Sequence, residues 1–140
     1  MIKVGIIGYG YWGPNLVRNF SQIDGVEVVA VSDLRPDRLE EARKRYPNIR
    51  ITTNALELIG HMDVDAVAIA TPVSTHFDLA IRALNHKKHV FVEKPISDTS
   101  EKTQQLINTA KEHGLTLMVD HTFLYTGAVH KMKQLIEDGE

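Results

Sequence analysis

The sequence predicts a doubly wound α/β domain, a parallel sheet covered by helices on both faces. Three observations carry this reading. Short apolar runs rich in Val, Ile and Ala recur along the chain, at 2–7, 26–31 and 65–70 among others, and they are near-continuous rather than alternating. Strands buried on both faces have that pattern. Segments with apolar residues at helical spacing separate the runs, so strand and helix alternate throughout. At 140 residues the chain also has the length of one ordinary domain with a single core.

The first strand, 2–7, sets Ile2, Val4, Ile6 and Ile7 before a turn at Gly8. A helix follows with Leu16, Val17, Phe20 and Ile23 on its inner face. Pro14 suits its first turn, where the missing N–H would have had no helical partner. A second strand, 26–31, ends at Ser32 and Asp33, and a charged helix over 36–46 turns Leu39, Ala42 and Tyr46 inward. A brief strand (49–52), a short helix (55–59) and a fourth strand (65–70) come next. Helix 77–84 points Leu79, Ala80, Ala83 and Leu84 to the core, and strand 89–92 follows. Helix 101–113 does the same with Leu106, Ile107 and Ala110, ahead of strand 115–119 and a last helix, 127–137. No repeat, low-complexity tract or linker divides the chain, so 1–140 reads as one domain. Gly139 stands where a glycine stops a helix, and the chain end reads as a domain edge.

Composition removes several classes of function. Sixteen basic and eighteen acidic side chains give a formal charge of -2, far from the basic footprint of a nucleic-acid binder. The apolar runs are strand-sized, well short of the roughly 20 residues that span a bilayer, so no membrane partner is expected. Cysteine is absent, which excludes disulfides and thiolate chemistry. With no leader pattern ahead of the first glycines, a cytoplasmic protein is expected. His86 and His89, beside Lys87 and Lys88, lack nearby carboxylates or a helical i, i+4 partner, and no metal is expected.

The motif with chemical content is Gly8-Tyr9-Gly10-Tyr11-Trp12-Gly13. Alone, GxGxxG is a weak signal. Here it follows an apolar strand, opens a helix, sits in a βαβ unit and precedes Asp33, 20 positions after Gly13. Together these conditions define a Rossmann-type dinucleotide-binding fold. Gly8 permits the sharp turn, Gly10 clears the path of a pyrophosphate and Gly13 lets the helix approach the sheet. Free N–H groups of Tyr11, Trp12 and their neighbours at the helix start then face the anion. Asp33 can accept hydrogen bonds from both adenosine ribose hydroxyls and would repel a 2′-phosphate, which favours NAD over NADP. Arg35 pulls the other way, since a guanidinium there can pair with that phosphate or stack over adenine.

Ligands of open α/β sheets lie beyond the carboxyl ends of the strands. The segments placed there are Thr71-Pro72-Val73-Ser74-Thr75-His76, Glu93-Lys94-Pro95 and Asp120-His121-Thr122-Phe123-Leu124-Tyr125. With the glycine motif and Asp33, this series resembles the Gfo/Idh/MocA family of NAD(P)-dependent sugar and polyol oxidoreductases, in the family's order and along essentially the whole chain.

The resemblance implies that Lys94 lies near the nicotinamide and a substrate hydroxyl, orienting it or relaying its proton. An ammonium at the mouth of an apolar site favours the alkoxide character that grows as hydride leaves carbon. Relatives often carry a cis peptide before Pro95 of this motif. Glu93 either holds Lys94 in place or is only the polar end of the strand. The resemblance also puts Thr71, Pro72 and His76 against the cofactor cleft and His121 near the nicotinamide end. For Ser74, Thr75 and His76 helix capping competes with that role. Leu124 replaces a frequent arginine and Gly127 a frequent proline, so the substrate-side contacts depart from the family pattern.

Members of the family carry a second, C-terminal α/β domain that covers the nicotinamide and binds substrate. The resemblance therefore implies a piece of a longer protein: the NAD-binding half of a dehydrogenase for a sugar, polyol or sugar nucleotide, with little turnover by itself. Its partner would be that small-molecule substrate, and a homo-oligomer of the longer protein is compatible with it. A non-catalytic NAD-sensing or assembly module is the alternative, because fold does not fix function.

Overall fold

In the computed structural model six parallel strands form one sheet in the order β3-β2-β1-β4-β5-β6. The structure describes residues 1–139, and Glu140 of the expected domain lies outside them. The strands are β1 (Ile2–Ile7), β2 (Val26–Ser32), β3 (Arg50–Thr52), β4 (Ala66–Ile69), β5 (His89–Glu93) and β6 (Leu117–Asp120). The helices are α1 (Gly13–Phe20), α2 (Pro36–Arg45), α3 (Ala55–Gly60), α4 (His76–Asn85), α5 (Ser100–Glu112) and α6 (Gly127–Asp138). Strand order reverses between β1 and β4, the switch point at which ligands of such sheets bind.

Two apolar clusters cover the two faces, as a doubly wound sheet requires. Leu16 and Val17 of α1 and Leu39 and Ala42 of α2 pack on Val4, Ile6, Val28 and Val31. On the opposite face, Leu58 and Ile59 of α3, Ala80, Ala83 and Leu84 of α4 and Leu106 and Ala110 of α5 pack on Ile7, Val67, Ile69, Val90 and Val92.

Local chemistry moves two element edges from their expected places. The first helix ends at Phe20, so Ile23 lies in the following turn and is 50% exposed rather than on a helical inner face. Leu115 and Thr116 lie before β6, not within it. Gly114 takes a left-handed φ of 66° after α5, and the Leu115 N–H reaches back to the Ala110 carbonyl. That is a helix-terminating motif whose apolar residue folds onto the core, so Leu115 serves the helix end.

Coverage thins at the β6 edge. That strand is only partly buried, and α6 has no buried residue. Among the described residues no helix is long and apolar enough to cross a membrane.

Candidate cofactor site

The glycine turn is fixed by contacts that leave its middle open. Gly8 has φ 96°, and its N–H donates to the Ser32 carbonyl at 2.7 Å. A Cβ there would lie 2.6 Å from the Ala70 carbonyl oxygen, so the turn and the end of β4 meet as bare backbone. At Gly13 a Cβ would collide with the Gly8 carbonyl oxygen, which is why α1 can sit so close to the strand it leaves. At Gly10 a Cβ would meet only the Arg35 Nη2, at 3.6 Å. Helix α1 has no side-chain N-cap and no acidic residue in its first turn. Among the described residues the N–H groups of Gly10, Tyr11, Trp12 and Gly13 find no protein acceptor. Donors without acceptors at a positive helix end, beside a position cleared of side chain, suit a pyrophosphate.

Asp33 reinforces the turn. Its carboxylate is 9% exposed, and Oδ2 accepts from the Tyr9 N–H at 2.7 Å. Oδ1 accepts from the Arg35 N–H at 2.9 Å and lies 3.4 Å from the Arg35 Nε. Oδ2 keeps a lone pair for a further donor such as a ribose hydroxyl, whereas Oδ1 already accepts from two groups of Arg35. Arg35 is half exposed and lies against Asp33, where its charge is partly matched. The Tyr9 ring faces the core, and burial, helped by Tyr46 and Glu41, raises its hydroxyl pKa.

A cleft of about 740 Å³ opens here, lined by Gly8, Gly10, Tyr11, Trp12, Asp33, Arg35, Thr71 and Pro72. Tyr11 and Trp12 meet edge to face at its rim, with ring centroids 5.1 Å apart. Ala55, Asp78 and Leu79 also line it and were not legible as site residues. They reach the cleft from α3 and α4, and no sequence spacing records which helix face meets it.

His76 departs from its expected place against the cofactor. Its side chain is 1% exposed and points into the protein. Nδ1 lies 2.8 Å from the Pro95 carbonyl oxygen and Nε2 2.7 Å from that of Thr71, so the ring offers the cleft no polar atom. The capping alternative for this turn differs as well. Residues Val73–Thr75 form a 3-10 turn, and the Thr75 hydroxyl lies 2.8 Å from both the Pro72 carbonyl and the Thr71 hydroxyl instead of capping α4.

Glu93, Lys94, Pro95 and His121 lie beyond the cleft lining, at the carboxyl ends of β5 and β6 on the same sheet edge. The Lys94–Pro95 peptide is cis. Lys94 is exposed, and among the described residues no carboxylate lies within ion-pair distance of its ammonium. Glu93 is 8% exposed and stands in register with Asp120. Burial, then the charge and hydrogen bonding of Asp120, push the Glu93 carboxyl above its ordinary range, with Lys94 pulling weakly the other way. Its principal partner is thus Asp120, which the sequence did not single out. His121 is exposed and its side chain makes no hydrogen bond among the described residues.

The reversed strand order, the glycine turn and the carboxylate at the end of β2 define a class: a dinucleotide-binding Rossmann domain. A family model described as an oxidoreductase family with an NAD-binding Rossmann fold matches residues 2–121, and the chain belongs to this Gfo/Idh/MocA family. It is 31% identical over 138 residues to myo-inositol 2-dehydrogenase of Thermotoga maritima, covering 99% of this chain and 41% of that protein. Scyllo-inositol dehydrogenase from Lactobacillus casei, solved with NAD(H) and scyllo-inositol, superposes with a TM-score of 0.90 at 28% identity. The match covers 99% of this chain and 42% of that one. The 3-ketoreductase KijD10 of Actinomadura kijaniata, solved with NADP and TDP-benzene, gives the same score, identity and coverage. The chain thus spans about two-fifths of the length of these relatives.

Proposed function

We propose that this chain is the cofactor-binding half of a cytoplasmic dehydrogenase that moves hydride between NAD and a secondary alcohol of a sugar, polyol or sugar nucleotide. The observation that carries the reading is the placement of Lys94. It leaves β5 on the same sheet edge as the glycine turn and Asp33, exposed and without an ionic partner among the described residues. An ammonium so placed is free to hydrogen-bond a substrate hydroxyl.

The residues divide the work by position. The N–H groups from Gly10 to Gly13 hold the pyrophosphate, and Gly10 leaves room for it. Asp33, already oriented by two backbone donors, takes the ribose hydroxyls. Thr71 and Pro72 wall the opposite side of the cleft. When bound, NAD supplies the hydride-accepting carbon. Lys94 orients the substrate hydroxyl and stabilises the negative charge that builds on its oxygen, giving or taking the proton there. Glu93 and Asp120 keep negative charge near the root of that lysine, and His121 lies beside them on the next strand end.

Calorimetric titration of the 140-residue chain with NAD and NADP tests the reading. NAD binds, and more tightly than NADP, because Asp33 opposes a 2′-phosphate. With candidate sugars the chain alone produces NADH at far below enzyme-like rates. Failure to bind either dinucleotide would defeat the assignment. In a longer protein carrying this domain, unchanged turnover after Lys94→Ala would sink the role assigned to that lysine.

A further inference from the structure

Helix α4 begins at a residue whose side chain does not face solvent, cleft or cofactor. The His76 ring is among the largest fully buried side chains, yet it is polar at both edges. Each ring nitrogen stands at hydrogen-bond distance from a backbone carbonyl, Thr71 on one side and Pro95 on the other. A neutral ring donates to one of these oxygens, and donating to both takes a proton on each nitrogen.

The two carbonyls belong to different loops. Thr71 leaves β4 and lines the cofactor cleft. Pro95 leaves β5 and follows Lys94 directly. Strand pairing between β4 and β5 ends at Ile69 and Val92. Past that pair, the side-chain hydrogen bonds joining the loops, among the described residues, are the two made by this ring. The ring is shielded from water, so its nitrogens have no ready substitute partner, and leaving a buried polar group unpaired is costly. The loop that carries Lys94 is therefore referenced to the cleft wall through one imidazole anchored on a helix.

We propose that His76 is a positioning residue that, by bridging the Thr71 and Pro95 carbonyls, sets the place of Lys94 relative to the cofactor cleft. The role rests on the reading of Lys94 as the group that meets the substrate hydroxyl. It touches neither cofactor nor substrate and acts through backbone. Side-chain isosteres separate its two contacts. The amide nitrogen of asparagine falls near Nδ1 and can donate to Pro95, whereas that of glutamine falls near Nε2 and can donate to Thr71. Phenylalanine fills the space and serves neither.

The test uses the 140-residue chain with its lysines reductively methylated with 13C, the Lys94 signal being identified by its loss in Lys94→Arg. Folding of each variant is checked by circular dichroism and thermal unfolding. Wild type gives one sharp Lys94 line, which NAD moves. His76→Phe and His76→Gln shift or broaden that line before NAD is added, while His76→Asn keeps it near the wild-type position. A Lys94 signal unchanged in folded His76→Phe would overturn the proposal. If that variant does not fold, identical Lys94 signals in His76→Asn and His76→Gln would overturn it equally. A purely structural histidine gives that second result, since both amides then differ from wild type in the same way. Because these comparisons are made without cofactor, a wild-type chain that fails to bind NAD counts against the function proposed above and not against the brace.

Discussion

A methyl group added at position 10 and one added at position 13 have opposite consequences. At Gly10 the backbone is outside the left-handed region, and the new methyl would touch only the flexible Arg35 side chain. Gly10→Ala should unfold in urea within about 0.5 kcal/mol of wild type, as surface substitutions do. The methyl occupies the path of the pyrophosphate, so NAD affinity should fall at least about tenfold by calorimetry. At Gly13 the methyl meets the Gly8 carbonyl, a backbone atom that cannot swing away. Gly13→Ala should lose about 1–3 kcal/mol in the same urea experiment as α1 is pushed off the strand. Unchanged NAD affinity in Gly10→Ala would mean that the motif is only a tight strand-to-helix junction. Residues of this kind were legible because their demands are local: a turn, a close approach and a carboxylate at fixed spacing. His76 was not. It follows a cleft-lining turn, and only the fold shows that its ring turns inward to carbonyls 5 and 19 residues away.

At the scale of elements, strands and helices were read from apolar runs and helical spacing, and the misplaced edges were those decided by turns. Ile23 and Leu115 are apolar residues in the right rhythm that belong to turns closing α1 and α5. Pairing between strands was the larger omission. Glu93 faces Asp120 because β5 and β6 are neighbours in register, and register is not written in either segment alone. The pairing has a measurable pH signature. Burial and the Asp120 carboxylate raise the Glu93 pKa in the folded chain above the ordinary 4.5. The native state therefore holds the proton to higher pH than the unfolded state, and stability falls as pH rises through that interval. Below 4.5 the stabilisation is fully present, and it is lost by the time pH passes the raised value. Glu93→Gln keeps a neutral donor beside Asp120 at every pH. Its urea midpoint, compared with wild type from pH 4 to 7, should gain on wild type as pH rises. A difference that is flat with pH would mean that Glu93 ionises as freely as a surface carboxylate.

For the whole molecule, burial is uneven along the sheet. From β2 to β5 both faces are covered, and the central strands contribute Ile6, Val31, Val67, Ala68, Ile69 and Val92, each fully buried. Beyond β5 the cover fails. Phe123, Leu124 and Tyr125 are 75%, 56% and 67% exposed, and α6 carries Met132 at 55% and Ile136 at 75% with no residue buried. Helix α6 does have local support, a Thr126 cap on the Val129 N–H and Gly139 in the left-handed region at its end. Caps add about 1 kcal/mol, and an isolated helix of 12 residues is marginal in water without a packed face. In the 140-residue chain, α6 should therefore open far more readily than the sheet does. Amide hydrogen exchange under native conditions measures this directly: α6 amides should exchange through local opening, and those of β1, β4 and β5 only through unfolding of the whole domain. Addition of NAD should slow exchange in the sheet and leave α6 unchanged, since the cleft residues lie on β1, β2, α3, α4 and the loops after β1, β2 and β4. Protection of α6 equal to that of β4 would show that its apolar face is covered in solution.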